Sequence, residues 1–168
     1  MINKNAINQV LGTGGNPSVV TISNATDWDD YALQLVENPD IIIDTQAKIG
    51  NLNNWGTISD PKVTFVNGDI AINNSQTASG CGILVVNGNL SINGNFTYRG
   101  LIIAYKETTI EIKLNGNGKI YGGMVVAGQK IIIEVASGNF SALYSLDAMN
   151  NMAALLKTNR FQIVSWWE

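Results

Sequence analysis

The chain has 168 residues, of which 45% are hydrophobic and only 14% charged, with a net charge of −3. That length fits one domain able to bury a core without covalent staples. The charged fraction is well below the usual value of about 25%. The absence of histidine and the single cysteine exclude Ser-His and Cys-His nucleophile pairs, histidine metal ligands, an intrachain disulfide framework and a cysteine-built zinc site. The acidic balance argues against nucleic acid as a partner. The longest apolar runs fall far short of the ~20 residues needed to span a bilayer. Met1 to Gln9 is polar and holds no signal-peptide core. Asparagine is the unusual excess, at roughly one residue in eight.

In chain order, Met1 to Ser18 is polar and glycine-rich and reads as a tail. Val19 to Ile22 has the composition of a short strand. Residues 27–37 are expected to be helical. Thr26 or Asp27 can cap the first turn, Asp29 and Asp30 sit where the helix dipole favours negative charge, and Trp28, Tyr31, Ala32, Leu35 and Val36 share one face. Pro39 ends that helix at Asn38. Ile41-Ile42-Ile43 reads as a buried strand, and NLNNWGT at 51–57 as a loop.

From Pro61 onward the sequence repeats itself. VTFVNGDIAINNS (63–75) aligns with ILVVNGNLSINGN (83–95). A third unit opens with GLIIA (100–104) and continues with TTIEIKLNGNG (108–118). A fourth opens with GMVVAG (123–128, with Gly122 before it) and continues with KIIIEVASGN (130–139). Each unit is an apolar strand, a Gly or Asn turn, an alternating strand and another such turn. The stride drifts between about 18 and 23 residues, so insertions are expected at corners. Such a repeat predicts a mainly-β fold: a single-stranded parallel β-helix, or β-solenoid, of about four coils. Right-handed winding is the default for strand–crossover–strand connections. Gly, and to a lesser degree Asn, tolerates the positive φ of tight corners, and asparagine amides at matched corners can bond along the axis. The competing architecture is an antiparallel β-sandwich with NG hairpin turns.

After Gly138 the repeat stops. SLDAMNNMAALLKTN (145–159) predicts a helix with Ser145 as N-cap and Asp147 in its first turn. Its apolar positions are Leu146, Met149, Met152 or Ala153, and Leu156. It is expected to cap the open end of the solenoid, with FQIVSWW as a closing strand. The organisation expected is a tail, helix and strand over 1–60, β-helix repeats over 61–140, and a capping helix and strand over 141–168.

The residues offer little for chemistry. Asp69, Glu107, Glu111 and Glu134 are the acidic residues of the repeat. Glu111 and Glu134 are expected to face the same side of adjacent coils without a basic partner at matching positions, which argues against a hydrolase or lyase. Asp27, Asp29 and Asp30 lack the glycine of an EF-hand loop. NGNG at 115–118 lacks the Lys-Ser/Thr ending of a phosphate loop and reads as a corner. Cys81 is expected to pack at a coil corner, with a reactive thiol or an interchain bridge as the alternatives. No catalytic residue, metal ligand or cofactor site is expected. The candidates for contact with a partner are Trp55, Tyr98, Arg99, Trp166 and Trp167.

Taken in order, NWGT (54–57), PKVTFVNGDI (61–70), GCGILVVNGNLSINGNFTYRGLII (80–103), IYGGMVVAG (120–128), LYSLDAM (143–149) and the final SWWE resemble the soluble C-terminal region of PilX-like, type IV pilus-associated proteins of bacteria. The resemblance covers about two thirds of the chain. It implies a non-enzymatic minor pilin-like protein, exported to the periplasm or cell surface and tethered by an N-terminal hydrophobic helix. Such a protein acts in pilus assembly or surface interaction, with other pilus or envelope proteins and surface ligands as partners. The chain lacks a prepilin cleavage motif and an N-terminal apolar helix, so it is expected to be a soluble piece of a membrane-tethered protein that itself makes no membrane contact. Trp167 stands where the family pattern has a basic residue. Polymerising bactofilins resemble the chain in architecture only. The alternatives carried forward are a carbohydrate-binding or carbohydrate-cleaving β-helix and a self-assembling bactofilin-like scaffold.

Overall fold

The computed structural model describes residues 10–11, 37–44, 48–49 and 55–158. The strands are β1 (Val10–Leu11), β2 (Ile41–Ile43), β3 (Lys48–Ile49), β4 (Lys62–Asn67), β5 (Ile70–Asn87), β6 (Leu90–Asn115), β7 (Gly118–Ser137) and β8 (Ser141–Leu143), followed by the helix α1 (Leu146–Thr158). Every strand pairing is parallel. This is a β-solenoid of about four coils, and it rules out the antiparallel sandwich. The NG sites between alternating strands are corners, not hairpin turns.

Residues one coil apart stand side by side. Ile41 pairs with Thr64, Lys62 with Gly82, Gly82 with Gly100 and Gly100 with Gly122, giving strides of 23, 20, 18 and 22. The stride changes between Asn74 and Ala78 and between Lys106 and Thr109, so the insertions fall at corners. The stack extends past the expected limits of 61–140. β2 and β3 add a rung on one side and β8 adds one on the other. The expected Val19–Ile22 strand, residues 27–36 of the expected 27–37 helix and the closing FQIVSWW strand lie outside the described residues, and Glu37, which is described, is a bend.

Two devices allow coils to lie so close. The first is a column of glycines at one corner: Gly82, Gly100 and Gly122 have φ of 128°, 137° and 138°. A Cβ on Gly100 would overlap the carbonyl oxygen of Gly82, and one on Gly122 would overlap that of Gly100. The second is asparagine. It was expected to share the positive-φ corners, but no non-glycine residue has positive φ among those described. Its side chains build ladders instead. Asn93 Nδ2 donates to Asn73 Oδ1 at 2.7 Å, and Asn115 Nδ2 donates to Asn93 Oδ1 at 2.8 Å. Asn89 donates to Asp69 from its backbone N–H and its amide, and accepts from the Glu111 N–H.

The apolar runs explain the helix. Ile83, Leu84, Val85 and Val86 are each 0% exposed. Consecutive strand residues point to opposite faces, so a run of four buried residues needs cover on both sides. Leu84, Val86, Ile102 and Ala104 face the interior with Ile72, Ile92, Ile112 and Phe96. Val63, Ile83, Val85, Leu101, Ile103 and Tyr105 face out and are covered by Met149, Met152 and Leu155 of α1. The helix therefore lies against the flank of the stack, not over its open end. The Ser145 hydroxyl accepts from the Ala148 N–H at 3.3 Å and caps it as expected. Leu146 is exposed, and Leu155 packs against the outer wall. β2 sits at the margin of this cover. Its pattern is half-buried with Ile42 exposed, so it is not the fully buried strand expected.

The glycine column yields a direct test. Gly100→Ala is expected to cost about 3 kcal/mol or more, from the backbone strain plus the clash with Gly82. Gly123→Ala, whose added Cβ meets only Leu101 Cδ1 at 3.5 Å, should change stability by less than about 1 kcal/mol. Equilibrium denaturation of the two variants checks the contrast.

Candidate functional site

The partner-contact candidates separate sharply. Trp55 and Tyr98 are 4% and 0% exposed and belong to the core. The solenoid interior needs large apolar side chains where its glycine-lined wall leaves space, and both supply them. A Cβ on Gly80 would meet the Tyr98 ring at 2.8 Å, and the Phe96 ring stacks on Tyr98 at 6.0 Å between centroids. Arg99 is exposed as expected. Trp166 and Trp167 lie outside the described residues.

Arg99 lies in a groove of about 510 Å³ on the outside of the stack. Its floor is the strand segment ending each coil. Ser79 and Thr97 are register neighbours, as are Cys81 and Arg99. The next coil places Lys119 beside Thr97 and Tyr121 beside Arg99. The wall is the Gly56–Asp60 loop, which supplies Thr57, Ile58 and Ser59. Buried Trp55 anchors one end of this loop, and its carbonyl accepts from the Cys81 N–H at 2.9 Å. Thr57 and Asp60 exchange backbone hydrogen bonds of 3.0 and 3.2 Å, and the Asp60 N–H also donates to Thr57 Oγ1. Asp60 pairs with Lys62 at 2.8 Å, and this hydrogen bond raises the Lys62 pKa. Ile58 stands exposed at the rim.

The groove carries one sign of charge. The Arg99 guanidinium lies 4.6 Å from the centre of the Tyr121 ring. Among the described residues, no carboxylate lies within ion-pair distance of Arg99 or Lys119. The neighbouring strip is mixed. Lys106 lies 3.6 Å from Asp69, and Lys113 lies 3.4 Å from Glu111. Glu134 is the register neighbour of Lys113, so the expectation that these acids lack a basic residue at matching positions is corrected. Asp69 is engaged by Asn89. No group of three or more metal-ligating side chains occurs among the described residues. No helix among them is long and apolar enough to cross a membrane.

Cys81 borders the corner at Gly82, as expected, and as the register neighbour of Arg99 it lines the groove. Burial pushes its thiol pKa up, and the Arg99 charge pulls the other way. Burial also drives the Tyr98 hydroxyl far above its ordinary value of 10.0. That hydroxyl has no hydrogen-bond partner among the described residues. The groove itself was not legible in the sequence. Its only signal was the alternation of Ser79, Thr97, Arg99 and Tyr121 on outward positions, and its wall depends on an inter-coil loop.

No protein-family model matches the chain, and no curated protein or solved structure matches it.

The buried thiol and phenol set the alkaline limit of the fold. The unfolded chain sheds the Cys81 proton near 9.0 and the Tyr98 proton near 10.0, while burial in the folded chain moves both losses to higher pH. Unfolding therefore releases protons, and stability is expected to fall as pH rises above about 9. Tyr98→Phe should remove part of that fall and add about 1 kcal/mol at pH 7 by deleting an unpaired buried hydroxyl. Denaturation midpoints at pH 7 and pH 10.5 check both.

Proposed function

We propose that this chain is the non-enzymatic outer region of an exported type IV pilus-associated protein, acting at the bacterial cell surface through contacts with other pilus or envelope proteins. The observation that carries the reading is the ordered series of segments from NWGT at 54–57 to the final SWWE. Its support includes where those segments fall. Trp55, Gly56 and Thr57 lead into the groove wall, the 61–70 and 80–103 segments build successive coils, 120–128 enters the last coil, and LYSLDAM leads into α1. A second kind of support is the use of polar residues: the ladder asparagines hydrogen-bond to their counterparts one coil away. An epitope-tagged full-length protein is expected in the sheared-pilus fraction of the source cells, with fewer surface pili after deletion of the gene. A tag confined to the cytosol, with normal piliation after deletion, would overturn the reading.

A self-assembling scaffold is the second reading, and one feature favours it. Inward residues of the last coil, among them Met124, Val126, Ile131 and Ile133, stay only partly buried, whereas Leu84, Val86, Ile102 and Ala104 are 0% exposed. Ile42 at the other end is 59% exposed. Incompletely covered solenoid ends invite further stacking. Sedimentation showing a monomer at high concentration would exclude this reading.

A further inference from the structure

We propose that the groove beneath the Gly56–Asp60 loop binds a carboxylate-bearing saccharide laid along the solenoid axis. The inference goes beyond the pilus reading and does not depend on it. Three observations carry it. First, the lining combines hydroxyls from two elements: Thr57 and Ser59 on the loop, 3.1 Å apart, and Ser79 and Thr97 on adjacent coils. Hydroxyls both donate and accept, which suits the paired donor and acceptor character of sugar hydroxyls. Second, the cation is held in place. Stacking on Tyr121 fixes the face of the Arg99 guanidinium and leaves its N–H edge to form a forked pair with a carboxylate. Third, the positive charges are spaced. Lys119 stands beside Thr97 on the next coil, about 4.8 Å along the axis, so the two cations lie on adjacent coils and two register positions apart. Single cations spread along a strip fit acidic groups spread along a polymer better than one multiply charged phosphate. The groove volume of about 510 Å³ falls within the range of small-ligand sites. The loop wall is anchored at both ends, by buried Trp55 and by the Asp60–Lys62 pair, so little ordering is needed on binding.

The test is calorimetric titration of the purified chain with trigalacturonate, a neutral glucose trimer, and inorganic phosphate or sulfate. Binding is expected for trigalacturonate, none for the neutral trimer, and weakening as salt is raised. Arg99→Gln should weaken binding about tenfold or more, since a charge-assisted pair is lost. Ser79→Tyr, an outward substitution that fills the groove and leaves Arg99 in place, should abolish it. Lys113→Gln, on the neighbouring strip, should leave affinity unchanged. Melting curves of the three variants should match the parent, since all three positions are exposed. Absence of trigalacturonate binding, equal binding of the neutral trimer, unchanged affinity in Arg99→Gln, or equal competition by phosphate or sulfate would each overturn the proposal. None of these results bears on whether the protein sits with pili.

Discussion

The close parallel contact of each coil with the next is the constraint on which the rest of the molecule depends. Backbone groups of one coil bond to the coils on either side, so a wall advances only if every corner lets the chain turn within one strand spacing. A side chain at the corner column would strike the carbonyl below it, which is why Gly82, Gly100 and Gly122 follow one another there. The asparagine excess answers the same constraint by another route. Side-chain amides at matched positions find donors and acceptors one coil away, and among the described residues only the last rung, Asn115 Oδ1, is left buried without a partner in its ladder.

The stack also dictates what must cover it. Runs such as ILVV at 83–86 and LIIA at 101–104 place apolar side chains on both faces of one wall. The inner set fills the solenoid interior, and the outer set would be an apolar surface without α1. Met149, Met152 and Leu155 cover it, each contributing on the order of 1.5–3 kcal/mol if fully buried. An end cap would have left that wall in water, which is the physical reason the helix lies on the flank. The same logic explains the exposure of Ile42, which continues the outer face at the edge of the helix's cover.

Function follows from what stacking leaves over. On one strip, acids and bases alternate and pair, as in Lys113 with Glu111. On the strip beside the loop, Arg99 lines a groove with hydroxyls, and neither it nor Lys119 on the next coil pairs with a described carboxylate. Burial pushes the Cys81 thiol toward its protonated form, and a protonated thiol is a weak nucleophile. A solenoid built this way presents a stiff ladder of outward positions, of which only a few are available for contact.

Much of this was determined by the sequence alone. The near-identical units at 63–75 and 83–95 require stacking, and stacking requires parallel pairing; low charge and no histidine restrict the chemistry. Ser145 marked the helix start because a cap is a local hydrogen bond. What the sequence could not decide depended on direction and distance. Aromatic residues look alike as letters, but Trp55 and Tyr98 point into the core while the Arg99 and Tyr121 pair points out, because strand side chains alternate and the corners set the phase. The helix's flank position needed the wall that it covers. The groove needed the loop after Trp55 to fold back over residues more than twenty positions away, and only the coil-to-coil register of the tertiary structure brings those together.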